Sequence, residues 1–218
     1  MARLERARVV VIGVGGVGSW CAEALVRTGV GHITLVDDDL VASSNVNRQC
    51  PATAKTLGRA KVEAMRERLL EINPDCEVIA LCARYTGDVQ PPIFDLQPST
   101  SLVVDAIDSV DCKAELILSA TEAGVPIVSS MGAALRLDPT RVVVKRFDKV
   151  EGDGLARALR QRFKKLGLFP KAKFNCVCSD EPPAEQADKS VKGSLMPVTC
   201  AFGMALAAEA LKILSSDD

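Results

Sequence analysis

A single histidine, His32, stands among 218 residues, so a histidine-rich metal site and a histidine dyad are both excluded. The eight cysteines, at 21, 50, 76, 82, 112, 176, 178 and 200, form no Cys-x-x-Cys pair, which argues against a structural zinc held by two such pairs. The first apolar run, residues 9–14, is too short for a leader and runs straight into glycines. Scattered thiols without a leader fit a reducing, cytoplasmic setting better than a disulfide framework, and that setting is the expectation. An excess of charge is missing too. With 27 basic and 28 acidic residues the net is −1, which excludes a surface uniformly built for polyanions. A composition of 48% hydrophobic and 25% charged residues is that of one soluble globular domain, with or without a long extension.

The total conceals a split. Residues 1–140 carry 13 Lys/Arg and 18 Asp/Glu, net −5, whereas residues 141–218 carry 14 and 10, net +4. The chain therefore reads as a segment 1–140 followed by a basic extension 141–218, both expected to pack on one sheet.

In the first segment Arg8-Val-Val-Val-Ile-Gly13 is a short continuous apolar run, as a buried parallel strand should be. It breaks at Gly13-Val-Gly15-Gly16-Val-Gly18 and resumes with helical spacing up to Gly29. Glycines there let the backbone turn tightly and approach a phosphate, whose charge meets the amides of the helix N-terminus. A second strand, Ile33-Thr-Leu-Val36, ends at Asp37, placed to accept from a ribose. The plainer alternative is a glycine turn followed by exposed acids, but both halves of the fingerprint stand at the required spacing.

The next residues separate ATP from a dinucleotide. Asp39, Asn45, Arg48, Gln49 and Lys61 follow, and Arg48 and Lys61 add two cations that a bound pyrophosphate does not need. A triphosphate carries more charge, and arginine grips it through parallel hydrogen bonds. Alone, each would be an ordinary solvated charge. The predicted helix from Lys61 to Asn73-Pro74 buries Val62, Met65, Leu69 and Ile72, and residues 76–82 read as a third strand. A fourth strand, Ser101-Leu-Val-Val104, ends at Asp105-Ala-Ile-Asp108, where open α/β sheets bind ligands. Hard oxygen ligands in that place suit Mg2+ on phosphates, while one of the two carboxylates is also expected to cap the helix at 109–123. Residues 127–130 give a fifth strand.

This ordered set resembles the HesA/MoeB/ThiF superfamily, the E1-like ATP-dependent activators, from about Arg8 to Pro139. The resemblance implies an α/β, Rossmann-like fold, a mostly parallel sheet with helices on both faces, here with a C-terminal α/β extension. It also implies roles. Gly13, Gly15, Gly16, Gly18, Asp37, Asp39, Asn45 and Gln49 would hold ATP, Arg48 and Lys61 would act on its phosphates, and Asp108 would act through Mg2+. Homodimerisation follows from the same resemblance, with Arg3 and Arg6 as the candidates for an arginine reaching the partner subunit's ATP.

Several stretches are similar to the tRNA threonylcarbamoyladenosine dehydratases: Asn45-Val-Asn-Arg-Gln49, Val104-Asp-Ala-Ile-Asp108, Val128-Ser-Ser-Met-Gly132, Leu155-Ala-Arg-Ala-Leu-Arg-Gln-Arg-Phe-Lys-Lys and Cys176-Val-Cys-Ser. That family implies ATP-driven activation of a carboxylate on a modified adenosine of tRNA, followed by ring closure without an enzyme thiol. Three other readings stand beside it. An adenylyltransferase for a ubiquitin-like sulfur carrier, working with such a carrier or a cysteine desulfurase system, would need a reactive cysteine. An NAD-dependent oxidoreductase would leave Arg48 and Lys61 without a task. A non-catalytic module would bind nucleotide and turn nothing over.

The basic extension now has a candidate meaning. Residues 141–173 hold eleven Lys/Arg and three Asp/Glu. Arg141, Arg157, Arg160 and Lys164 are candidates for a face on a tRNA backbone, or simply the solvated side of a helix that buries Leu155, Leu159, Phe163 and Leu166. Cys176, Cys178 and Cys200 read as small buried hydrophobes rather than nucleophiles. Residues 180–193, Pro-rich and polar, are expected to form a mobile loop. Residues 194–214 are apolar enough to suggest a membrane segment, but Glu209, Lys212 and the alanines fit a packed C-terminal helix better than stable insertion, with peripheral membrane contact the lesser reading.

Overall fold

A computed structural model describes residues 2–85, 100–185 and 193–216. Seven strands form one sheet in the order β3-β2-β1-β4-β5-β7-β6: β1 Arg8–Ile12, β2 His32–Val36, β3 Glu77–Leu81, β4 Leu102–Asp105, β5 Ile127–Ser130, β6 Val142–Arg146 and β7 Asn175–Ser179. All neighbours are parallel except β6, which runs antiparallel to β7. The helices are α1 Ala2–Arg6, α2 Gly18–Arg27, α3 Lys61–Ile72, α4 Val110–Glu122, α5 Gly154–Leu166 and α6 Met196–Ser215.

The apolar strands are continuous because both faces of the sheet are covered. Val9 and Val11 of β1 join a core with α2, α3 and α6, while Val10 and Ile12 join a second core with α4 and α5. The same alternation divides β7: Val177 packs toward α6, and Cys176 and Cys178 toward α4 and α5. Residues 141–179 thus supply two strands of the one sheet. The chain leaves β1 toward β2 on one side and returns as β4 on the other, so the carboxyl ends of β1 and β4 flank a switch point, where such sheets bind ligands.

Three expectations need correction. Residues at the ends of α5 do not belong to its buried stripe: Ala156, Leu159 and Phe163 are buried, whereas Leu155 is half-buried and Leu166 is exposed at 40%. Gly167, with φ of +68°, ends the helix there and turns the chain outward. Neither Asp105 nor Asp108 caps α4, which begins after Ser109 without a side-chain cap. Ile72 is only half-buried on α3. Of the expected mobile loop at 180–193, residues 186–192 lie outside the described residues, and its described ends are pinned: Ala184 N donates to Leu135 O, and Leu135 N donates to Gly193 O.

α6 has the length and composition to cross a membrane, yet half of its apolar window is buried in the protein. Its tightest contact is with α2. A Cβ on Gly203 would stand 2.7 Å from both the Val17 carbonyl and Trp20 Cβ, so only glycine permits this crossing. Gly203→Val is therefore expected to lower stability by about 2 kcal/mol, roughly 6 °C in Tm for a chain of this size. Thermal unfolding checks it, and an unchanged Tm would refute the close crossing.

Candidate functional site

The glycine loop is shaped by what presses on it. Gly13 has φ of +90°, and a Cβ there would lie 2.6 Å from Ala106 O in the turn after β4. A Cβ on Gly18 would lie 1.8 Å from Gly13 O and 3.0 Å from Ala106 Cβ. The β1 exit, the start of α2 and the β4 exit therefore meet backbone to backbone. Gly13 N donates to Val36 O, and Ser19 Oγ donates to Gly15 O. α2 starts with no side-chain cap; of its first-turn amides Ser19 N is taken by Gly15 O, and an uncapped helix start is where an anion is accommodated.

Asp37 closes the loop. Its carboxylate accepts from Val14 N at 2.7 Å and from Asp39 N at 2.9 Å. Burial pushes its pKa above the usual value, with Lys61 and the two amides acting against that rise. Lys61 is buried at the head of α3, 2.6 Å from Asp39 and 3.8 Å from Asp37, so the expected phosphate cation is here paired with acids of the β2 exit.

Arg48 lies across the loop. Its Cγ is 3.3 Å from where a Gly16 Cβ would be, and Thr199 of α6 presses on the same glycine at 3.4 Å. The guanidinium donates to Ser44 O and Asn47 Oδ1, both at 2.8 Å. Trp20 Nε1 donates to Arg48 O, fixing the backbone. Gln49 is 7% exposed, its amide group is close to Gly15, and its Oε1 is buried without a partner. A buried acceptor left open beside an anion cradle is what a ligand's donor would complete. Asn45 works on the turn itself, accepting from Ala42 N.

Asp105 and Asp108 have opposite environments. Asp108 is exposed and makes no bond to another described residue, so a hard carboxylate ligand stands open at the β4 exit and fits a divalent cation. Asp105 is fully buried and accepts from Lys113 Nζ and Ser129 Oγ, each at 2.6 Å. Sequence reasoning missed Lys113 and Ser129. Their signal was a charge inside the apolar face of a helix and a serine pair ending an apolar strand.

A second missed cluster holds the site from behind. Glu23 on α2 accepts from Arg27, from Arg68 on α3 and from the Cys50 thiol. Burial pushes the carboxyl up, but bonds from Arg68, Cys50 and Arg27 outweigh it and hold it at about 2. The Cys50 thiol is pushed up to about 12, first by burial and then by Glu23. Burial and the bond to Glu23 give it the surroundings of a structural thiol. Cys176 and Cys178 are buried in the core, and burial raises both, Cys178 to about 11.

Of the basic candidates, Arg157 and Lys164 are exposed on α5, and their side chains bond to no described residue. Arg141 is exposed and donates to Asp180 O. Arg160 is half-buried: its Nη2 donates to Phe147 O and Val150 O and its guanidinium lies over the Phe147 ring, so one of its nitrogens is committed to the fold. Arg3 and Arg6 line a hollow at the amino edge of the sheet with Ser101 and Pro126, and Arg3 donates to Ser215 O.

The chain matches the ThiF family over residues 1–218. It is 43% identical over 180 residues to the tRNA threonylcarbamoyladenosine dehydratase of Bacillus subtilis, covering 83% of this chain and 69% of that one. The crystal structure of Escherichia coli tRNA N6-threonylcarbamoyladenosine dehydratase in complex with ATP superimposes with a TM-score of 0.87 at 38% identity, covering 97% of this chain and 86% of that one. The molybdopterin-synthase adenylyltransferase of Salmonella typhimurium is more distant, 32% identical over 97% of this chain and 74% of its own length.

The Glu23 cluster gives a pH signature. Its folded pKa lies below the ordinary carboxylate value, so the stability it contributes is complete above about pH 4.5 and is lost as pH falls toward 2. Glu23→Gln is expected to destabilise at pH 7, with the gap to the parent narrowing through that window. Denaturant midpoints measured across pH test this, and a gap independent of pH would refute it.

Proposed function

Because the chain belongs to the ThiF family, we propose that it uses ATP to activate the carboxylate of N6-threonylcarbamoyladenosine in tRNA and closes the ring with loss of water. The observation that carries the activation is Arg48 laid across Gly16, beside an uncapped helix start and the open Gln49 acceptor. The choice of substrate rests on the identity to the dehydratases.

The substrate carboxylate attacks a phosphorus of ATP and breaks one P–O bond of the phosphate chain, and the carboxylate oxygen now on phosphorus, later counted as water, leaves with it when the ring closes. The neighbouring carbamoyl group then attacks the activated carbonyl within the same molecule. Proximity replaces an enzyme nucleophile here, which suits the buried, raised thiols of Cys50, Cys176 and Cys178. The chain's own work is positional and electrostatic. Gly13 to Gly18 seat the phosphates, Asp37 is placed for the ribose, and Arg48 with Lys61 meets charge developing on phosphate oxygens. Asp39, Asn45 and Gln49 complete the cradle. Mg2+ at Asp108 would neutralise part of that charge.

The exposed Arg157 and Lys164, with Arg141 nearer the sheet, form the tRNA-facing surface, and Arg160 braces the helix that carries two of them. A cytoplasmic homodimer is the setting, with Arg3 and Arg6 the candidates for reaching the partner subunit's ATP. The Salmonella relative keeps one alternative specific, adenylation of the C-terminal glycine of a sulfur-carrier protein.

Incubation with Mg-ATP and tRNA bearing the threonylcarbamoyl group should remove one water from the modified nucleoside, read by mass spectrometry of digests. No loss, together with adenylation of a carrier protein, would overturn the proposal. Arg48→Ala and Asp108→Ala should each cut turnover by about a hundredfold or more while Tm is kept. Arg157→Gln and Lys164→Gln should weaken tRNA binding and lower the slope of log affinity against log salt by roughly one each. An unchanged slope would take that face out of the interface.

A further inference from the structure

Asp105, Lys113 and Ser129 are the fully buried polar centre of the molecule, each at 0% exposure. One carboxylate oxygen of Asp105 accepts from both Lys113 Nζ and Ser129 Oγ, and Lys113 Nζ also reaches Ser129 Oγ at 3.3 Å. The other oxygen accepts from Ile107 N at 3.1 Å. Three elements are tied at that carboxylate: the β4 exit, α4 through Lys113, and β5 through Ser129, which stands opposite Asp105 in the register.

A dry ion pair is poor value as a stabiliser, because removing both charges from water costs about as much as their attraction returns. Its effect here is directional. Two donors fix one oxygen of Asp105, which aims the other at Ile107 N and sets the turn Asp105–Asp108. That turn has two outputs. Ala106 roofs Gly13 and Gly18, and Asp108 leaves the turn exposed at the carboxyl edge.

Resting on the function proposed above, we infer that Lys113 is a positioning residue for metal-assisted nucleotide binding. With Ser129, it orients Asp105 so that the turn presents Asp108 to the cation on the phosphates. Lys113 touches neither ligand. Because the bonds from Gly13 N to Val36 O and from Val14 N to Asp37 hold the glycine cradle independently of that turn, loss of the Lys113 grip should disturb the cradle little but should blur the place of the metal ligand. Residues acting behind a metal ligand typically set affinity or rate by about 10- to 100-fold.

The test is ATP binding by calorimetry with and without Mg2+, on the full chain. In the double variant Lys113→Met with Asp105→Asn no buried charge is left alone. It should bind metal-free ATP within about threefold of the parent yet lose about tenfold or more of the affinity that Mg2+ adds, with kcat falling in parallel. Ser129→Ala leaves the ion pair in place and should lose about threefold of the Mg2+ gain. Should the double variant fail to melt cooperatively, Ser129→Ala decides alone. A folded double variant with the parent's Mg2+ gain, or an unchanged Ser129→Ala where that variant decides, overturns the inference. Asp108→Asn separates the two levels. If it abolishes the gain and the double variant does not, only the role of Lys113 falls; if Asp108→Asn keeps the gain, the metal assignment falls and this inference with it.

Discussion

Everything at the carboxyl edge depends on one backbone approach, that of the loop after β1 to the turn after β4. Gly13 and Gly18 permit it, since side chains at either position would occupy the space of Ala106 or of the loop itself. The approach sets the height of the cradle, the direction in which α2 starts and the distance to Asp108. Hydrophobic burial builds the sheet, but it is indifferent to ångström-scale differences at its rim. Rim geometry needs directional contacts, and here these are the bonds to Asp37, Asp105 and Glu23.

Those three carboxylates share a division of labour. Each is largely withdrawn from water and answered by donors from elements distant in sequence, so each fixes two or three segments at once. Asp37 joins the β2 exit to the glycine loop. Glu23 joins α2 to α3 and to Cys50, two residues beyond Arg48. Of the exposed acids, Asp39 is paired with Lys61, whereas Asp108 stands open at the carboxyl edge. The contrast matches a site in which buried charge orients and exposed charge acts.

Residue spacing brought out the candidate ligand-binding residues. Glycines, Asp37 and Asp108 lie at strand ends, where local pattern alone indicates the edge they occupy, while Arg48 and Gln49 lie in the connection that follows β2 and Lys61 heads α3. The supporting half was not readable in that way. Lys113 stands on the apolar face of its helix, but its partners emerge only when the β4–β5 register brings Asp105 and Ser129 to it. Arg160 has the spacing of a solvent-facing residue, yet the carbonyls of Phe147 and Val150 lie beneath it. The ends of α5 were misread for a related reason: an apolar stripe predicts burial only as far as something lies over it, and Leu166 runs past that cover.

Lys61 has one more consequence. Its ammonium is already neutralised, 2.6 Å from Asp39, and scarcely exposed. A newcomer can draw it away only by offering more negative charge than Asp39 and the more distant Asp37 together, at comparable range. Adenosine alone brings none; a triphosphate brings several. On the function proposed above, the pair would act as a threshold on occupancy, ranking ligands of similar outline by their charge before any chemistry begins.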